Sequence, residues 1–314
     1  MSIGGIGNSG NPPNPNTEIW STQTNQCQDI PDMKHNHNGA VSGFVNGEPT
    51  VCGGYYPDTD TYSKDCYRYD RVFNDFVQVG NLYVAVAFAA HAPWQGGTES
   101  IITVGGQTDE GEILDGIQVH GKIEAWNRPE LELTSSCMVH LFNDTYFLMG
   151  GRTNTETYSD QSFLLKWIEQ NSTFQVDSGP PLNCGRNRHM CGKIEDQDKK
   201  YIVVVGGQIQ QGQIRTCEYL EFNESGSMNN EWKSCESFIF GIMPIKEGQA
   251  VSDPETGDLL FIGGIDQEDN VPKNTIYRLS IKNGQWKWSR ESQGLQAERT
   301  LHTSLFVPDG KLPC

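Results

Sequence analysis

Residues 201–207 read YIVVVGG, five residues suited to a buried strand halted by two glycines. The same arrangement recurs as MSI before Gly4-Gly5, PTVC before Gly53-Gly54, IITV before Gly105-Gly106, YFLM before Gly150-Gly151 and LLFI before Gly263-Gly264. Gly206-Gly207 completes a set of six, while Gly96-Gly97 follows a polar residue and stands outside it. The first glycines are 49, 52, 45, 56 and 57 residues apart, and from Gly263 round through both termini to Gly4 is 55, one further period. A chain that closes on itself in this way is a cycle of repeats whose two ends share one unit, not two separate domains.

A second landmark recurs within the units. A large or apolar residue is followed seven positions later by another: Trp20/Cys27, Tyr69/Phe76, Val119/Trp126, Trp167/Phe174 and Leu279/Trp286. The unit that begins at Gly206 stretches the interval, with Tyr219 and Trp232 around the polar insert NESGSMNN. Seven residues suit the end of a strand, a tight turn and the start of its antiparallel partner. SFLLKWIEQ and EILDGIQVHGKIEAW have some helical character, but they stand where every other unit has its hairpin and are read as strands. Short strands in six closed repeats describe an all-β, six-bladed β-propeller. The expected blades span about 1–31 plus 300–314, 37–82, 84–133, 136–180, 188–240 and 247–291 of one domain covering 1–314. The glycine pairs, lacking Cβ atoms, let backbones converge near the axis.

An apolar run ending in Gly-Gly, a spaced Tyr and Trp, and a strand opening with Arg and His together resemble the kelch-repeat family. The last strand, Arg299-Thr-Leu-His302-Thr-Ser-Leu-Phe-Val, matches well, and Arg186-Asn-Arg-His189 keeps the Arg-to-His spacing. MKHNHNGAV and VAFAAHAP keep a His without the Arg, and Cys27 and Phe76 stand where the pattern has Trp. The resemblance implies that the C-terminal strand, about 301–307, becomes the inner strand of the first blade and locks the ring.

The chain has 314 residues, with 23 Lys and Arg against 40 Asp and Glu, a net charge of −17 that argues against nucleic acid or anionic membrane as a partner. Apolar residues make up 36% and aromatics 10%, a balance that favours order over disorder. The longest apolar stretch, Tyr83 to Ala90, is too short to cross a bilayer. The opening MSIGGIGNSGNPPNPN lacks the basic start and apolar middle of a secretory signal, which leaves a non-secreted chain or one written without its leader.

Nine cysteines bear on the compartment. Cys52 and Cys66 are equidistant from the turn in YYPDTDTYS, and Cys217 and Cys235 from the middle of NESGSMNN, so both pairs are disulfide candidates across hairpins. Cys184 and Cys191 bracket a loop and form a third candidate; Cys27, Cys137 and Cys314 have no evident partners. Bridges imply an oxidising, extracellular setting; reduced thiols, acting as small hydrophobes, imply a cytoplasmic one. The sequons at Asn143, Asn171 and Asn223 do not exceed chance and decide nothing.

The sequence carries none of G-x-S-x-G, G-x-x-x-x-G-K-[ST], H-E-x-x-H or C-x-x-C, so hydrolase, phosphate-loop and zinc signatures are absent and neither metal nor cofactor is expected. Sialidase boxes are also missing; a galactose-oxidase-like copper site stays open, because spacing does not test it. His37, His91, His140, His189 and His302 fall near the starts of inner strands and pose a choice between a metal or pH-sensing ring and structural imidazoles between blades. Acidic residues follow the glycine pairs in three units: Asp58 and Asp60; Asp109, Glu110 and Glu112; Asp266, Glu268 and Asp269. Loops after the glycine-pair strands share one face of the disc, so these form an acidic surface for a basic partner or a divalent cation, or simply solvated charge. Arg186 and Arg188 are expected on the opposite face, or as the repeat's structural arginines. The expected function is a monomeric, non-catalytic module that binds a protein or peptide on one loop face. The alternatives are a carbohydrate-active or copper-oxidase-like propeller enzyme, a structural matrix protein, and a fragment of an intracellular ubiquitin-ligase adaptor or actin-binding kelch protein.

Overall fold

A computed structural model describes residues 1–6, 17–20, 30–94, 99–122, 125–223, 226–235, 246–266 and 270–308. Blade 2, the first complete one, runs Val41–Val45, Glu48–Cys52, Asp65–Asp70 and Asp75–Asn81 as four antiparallel strands in sequence order. Blades 3 to 6 repeat this order from inner strands Ala90–Trp94, Cys137–Phe142, Met190–Asp196 and Gln249–Ser252. Blade 1 is shared by the two ends: Thr303–Ser304 pairs antiparallel with Ser2–Ile3, which pairs with Thr17–Glu18. The first strands of successive blades touch one another in an unbroken cycle and therefore surround the axis. The six-bladed propeller, closed by its own C-terminal strand, is the fold the repeat spacing predicts. SFLLKWIEQ and EILDGIQVHGKIEAW supply strands Ser162–Ile168, Gly116–Val119 and Ala125–Asn127. Among the described residues no helix is long and apolar enough to cross a membrane.

The apolar runs before the glycine pairs are the second strands, and each is buried on both faces because its blade is clamped between two others. Alternate side chains of a strand point to opposite faces. Thus Ile202 and Val204 join Val139 and Phe147 toward blade 4, while Val203 and Val205 join Leu259 and Phe261 toward blade 6. One hydrophobic cluster fills each of the six seams.

Gly105 and Gly106 show what the pairs do. A Cβ on Gly105 would lie 2.0 Å from the Leu133 carbonyl oxygen of the chain leading into blade 4, and φ there is 63°. The N–H of Gly106 donates to that same oxygen at 2.9 Å. The glycines are thus welds between blades, and Gly53-Gly54, Gly150-Gly151 and Gly263-Gly264 make the same approach to the carbonyls of Val86, Arg186 and Arg299.

Nearer the axis lies a closed ring that no motif announces. Gly39, Phe88, Ser135, Arg188, Glu247 and Leu301 each precede an inner strand, and each N–H donates to the carbonyl of the previous member, with Gly39 bonded to Leu301, at 2.8–3.0 Å. All six are left-handed, with φ between 53° and 63°. For the five with side chains this conformation costs about 1 kcal/mol each, offset by the shared hydrogen bond.

Among the described residues three disulfides are formed. Cys52–Cys66 and Cys217–Cys235 cross hairpins as expected, with Cα atoms 4.1 and 5.2 Å apart. The third corrects the sequence reading: Cys191 bonds Cys137, not Cys184, which is free. Cys137 and Cys191 lie on adjacent inner strands of blades 4 and 5, 54 residues apart in sequence, where distance from a turn carries no information. Cys184 instead accepts a hydrogen bond from Arg186. Cys27 and Cys314 lie outside the described residues.

Candidate functional site

Strand register fixes which loops share a face. Val41, the first residue of an inner strand, pairs with Cys52, the last before a glycine pair; Met190 pairs with Val205 in the same way. Links between blades therefore emerge beside the glycine pairs, not opposite them. This corrects the expected placement of Arg186 and Arg188, since Asn187 between them bridges to Gln208, directly after Gly206-Gly207.

On this face, between blades 2 and 3, lies a groove of about 820 Å³. Its walls are residues 61–65 of the blade 2 loop, the link 83–85, and residues 108–115 of the blade 3 loop. The blade 2 loop is a small hairpin in which Tyr55 pairs with Tyr62 and Tyr56 with Thr61. The Tyr62 N–H donates to Asp109 Oδ1 at 2.8 Å and ties the two walls together. The Tyr55 hydroxyl donates to Asp60 Oδ1 at 2.7 Å, and its ring centroid lies 5.3 Å from that of Tyr62. Tyr56 forms part of the floor, with His35 stacked on its ring at 4.9 Å and His37 edge-on at 4.8 Å. Burial, with Asp109 and Asp60 nearby, raises the Tyr62 phenol, so it remains a donor at neutral pH. Five carboxylates, Asp65, Asp109, Glu110, Glu112 and Asp115, face one lysine, Lys64.

Of the acidic residues singled out in the sequence, the structure gathers Asp109, Glu110 and Glu112 at this groove, with Asp60 joined through Tyr55 and Tyr62. Asp58 is exposed at the hairpin turn. Asp266 is buried and ion-paired with Arg215 at 3.3 Å across the blade 5–6 seam. Glu268 and Asp269 lie outside the described residues. Arg186 is buried against Glu218 and donates to the Gly206 carbonyl, a structural role. Arg188 is half-exposed and paired with Glu247 in the axial ring. Sequence reading missed the groove tyrosines Tyr56, Tyr62 and Tyr83, although for the first two YYPDTDTY, with aromatics at both ends of a turn, was a usable signal.

The histidines do not form a ring. Counted from the axial ring, His189 and His302 stand one residue after it, His91 three, His140 five, and His37 two before it. Only His189 and His302 are equivalent, and both pack on the first glycine of a neighbouring pair. Burial lowers His37 to about 4 and His189 to about 3 from an ordinary 6.5. Both are neutral in the folded protein, whereas the unfolded chain takes protons below 6.5. The stability they contribute is complete above that pH and falls as pH drops toward 4. We expect a loss of about 2–3 kcal/mol per buried imidazole by pH 4.5. Urea midpoints measured from pH 7 to 4.5 check this, and a flat profile would contradict it. Among the described residues, metal-type donors converge in one place, Cys52, Cys66 and His120, and there the two sulfurs are bonded to each other.

No protein-family model matches the chain, and no curated protein matches it. Among solved structures it is similar to that of YjhT, at 12% identity and a TM-score of 0.67, covering 92% of this chain and 96% of that one. At that identity the likeness supports the six-bladed fold alone.

Proposed function

We propose that the chain is a kelch-like, non-catalytic interaction module that holds a peptide or protein loop in the groove between blades 2 and 3. The observation that carries this reading is the groove itself: a concave, aromatic and acidic surface built from three loops on a rigid scaffold. Much of the remaining buried charge is spent on structure, in Arg186–Glu218, Arg299–Glu18 and Asp266–Arg215. The three disulfides among the described residues favour an extracellular setting. Sequon residues Asn143, Asn171 and Asn223 occupy exposed turns on the opposite face, so glycans there would leave the groove open.

Peptide display against the immobilised protein tests the proposal. Selected peptides are expected to lose about tenfold in affinity on Tyr83→Ala, an aromatic anchor 53% exposed at the groove wall. Val72→Ser, on the exposed hairpin tip of blade 2, is expected to change nothing. Peptides indifferent to Tyr83 would place binding elsewhere and overturn the assignment.

A further inference from the structure

Three features of the groove, taken on the reading just proposed, identify its ligand more closely. The first is how the charge is distributed. Asp109, Glu110 and Glu112 line the blade 3 wall, with Asp65 across the groove on the blade 2 wall. Among the described residues no three of these carboxylates bring donor oxygens close enough together to hold one metal ion. Spread negative charge suits several cations carried on one chain, not a single divalent ion. The second is the aromatic surface. Tyr62 and Tyr83 line the same space, and aromatic faces attract alkylammonium and guanidinium groups. The third is the floor. Tyr56 is 9% exposed and its hydroxyl is enclosed beside Ser63 and Tyr67, so it gives the floor an aromatic surface on which the stems of long cationic side chains can lie.

We infer that the groove binds an extended basic peptide, whose Lys or Arg side chains meet the Asp109–Glu112 rim and lie against the Tyr62 and Tyr83 rings. Lys64, the one cation in the walls, sits on the blade 2 side and biases the ligand's charges toward blade 3.

Titration calorimetry with synthetic peptides of Gly and Ser carrying no, two or four lysines, and with calcium chloride as a separate probe, tests this. Affinity is expected to rise with each added pair of lysines and to weaken about tenfold between roughly 50 and 200 mM salt. The exposed triple variant Asp109→Asn, Glu110→Gln, Glu112→Gln is expected to lose at least about tenfold. Tyr83→Ala is expected to weaken the four-lysine peptide about fivefold. Thermal melts confirm that each variant is folded. A lysine-free peptide that binds as tightly, calcium that displaces the basic peptide, or a triple variant with undiminished affinity would each overturn the inference. Neutral display-selected peptides that still depend on Tyr83 would refute the basic ligand while sparing the groove. Lysine peptides indifferent to Tyr83 and the three acids would refute both.

Discussion

Gly105→Ala is expected to cost about 3–5 kcal/mol and to lower the melting temperature by roughly 6 °C. Three contributions add. An alanine at φ 63° carries a left-handed penalty of about 1 kcal/mol. Its Cβ would enter to 2.0 Å of the Leu133 carbonyl oxygen, a backbone atom that cannot swing aside as a side-chain tip can. Forcing that oxygen outward adds about 1–3 kcal/mol of overpacking. It also strains the Gly106-to-Leu133 hydrogen bond, whose loss in a buried seam costs about 1 kcal/mol. Leu133 lies two residues before Ser135, a member of the axial ring, so the disturbance reaches the axis directly. Gly284→Ala is the control: its φ is 74°, but nothing lies within 4 Å of the added Cβ, so only the first contribution applies. Urea and thermal unfolding of the two variants side by side separate conformation from contact. Equal losses would show that the seam tolerates a methyl group and that the glycine pairs are not welds.

The same geometry explains what the sequence disclosed and what it hid. Second strands such as YIVVV lie between two blades, so their burial writes an uninterrupted apolar run, and the chain's exit past a neighbouring carbonyl demands glycine. Both effects act on residue type, which made the blade number and the closure of the ring readable. The axial ring is built by backbone atoms, so Gly39, Phe88, Ser135, Arg188, Glu247 and Leu301 share no property that a sequence displays. Disulfides within a hairpin announced themselves by symmetry about a turn; Cys137–Cys191 joins strands from different blades and did not. Asp266 and Asp109 looked alike as loop acids, yet a neighbouring loop brings Arg215 to the first, while the second lines a groove. Side-chain partners supplied from another blade decide such cases, and spacing does not encode them.

Arg299→Ala is expected to destabilise the protein by about 3–5 kcal/mol, because it leaves a partly buried carboxylate and a backbone carbonyl without their cation. Arg299 is fully buried and donates to Glu18 and to the Gly4 carbonyl of blade 1, while its own carbonyl accepts the Gly264 N–H of blade 6 at 2.9 Å. One residue thus holds both sides of the seam where the ring closes. Arg186 is its counterpart between blades 4 and 5, bonded to Gly206 and Glu218, with its carbonyl accepting from Gly151. The two losses are not expected to be equal. The Arg186 seam is also crossed by the Cys137–Cys191 bond, which keeps blades 4 and 5 together when the ion pair fails. Blade 1 joins its halves through hydrogen bonds between Ser2–Ile3 and Thr303–Ser304 instead of through a hairpin. Arg299→Ala is therefore expected to fall below Arg186→Ala in urea midpoint and to expose the edge of Ser2–Ile3 to aggregation on heating. The double variant Arg299→Met, Glu18→Leu separates charge from packing, since replacing both partners with apolar groups is expected to recover all but about 1–2 kcal/mol. The groove lies at the seam between blades 2 and 3, so peptide affinity measured well below the melting temperature is expected to be unchanged in both arginine variants. A single Arg299→Ala chain that melts with the wild type would mean the ring is closed by its strands alone, and that the arginine spanning the seam contributes nothing to holding the two ends together.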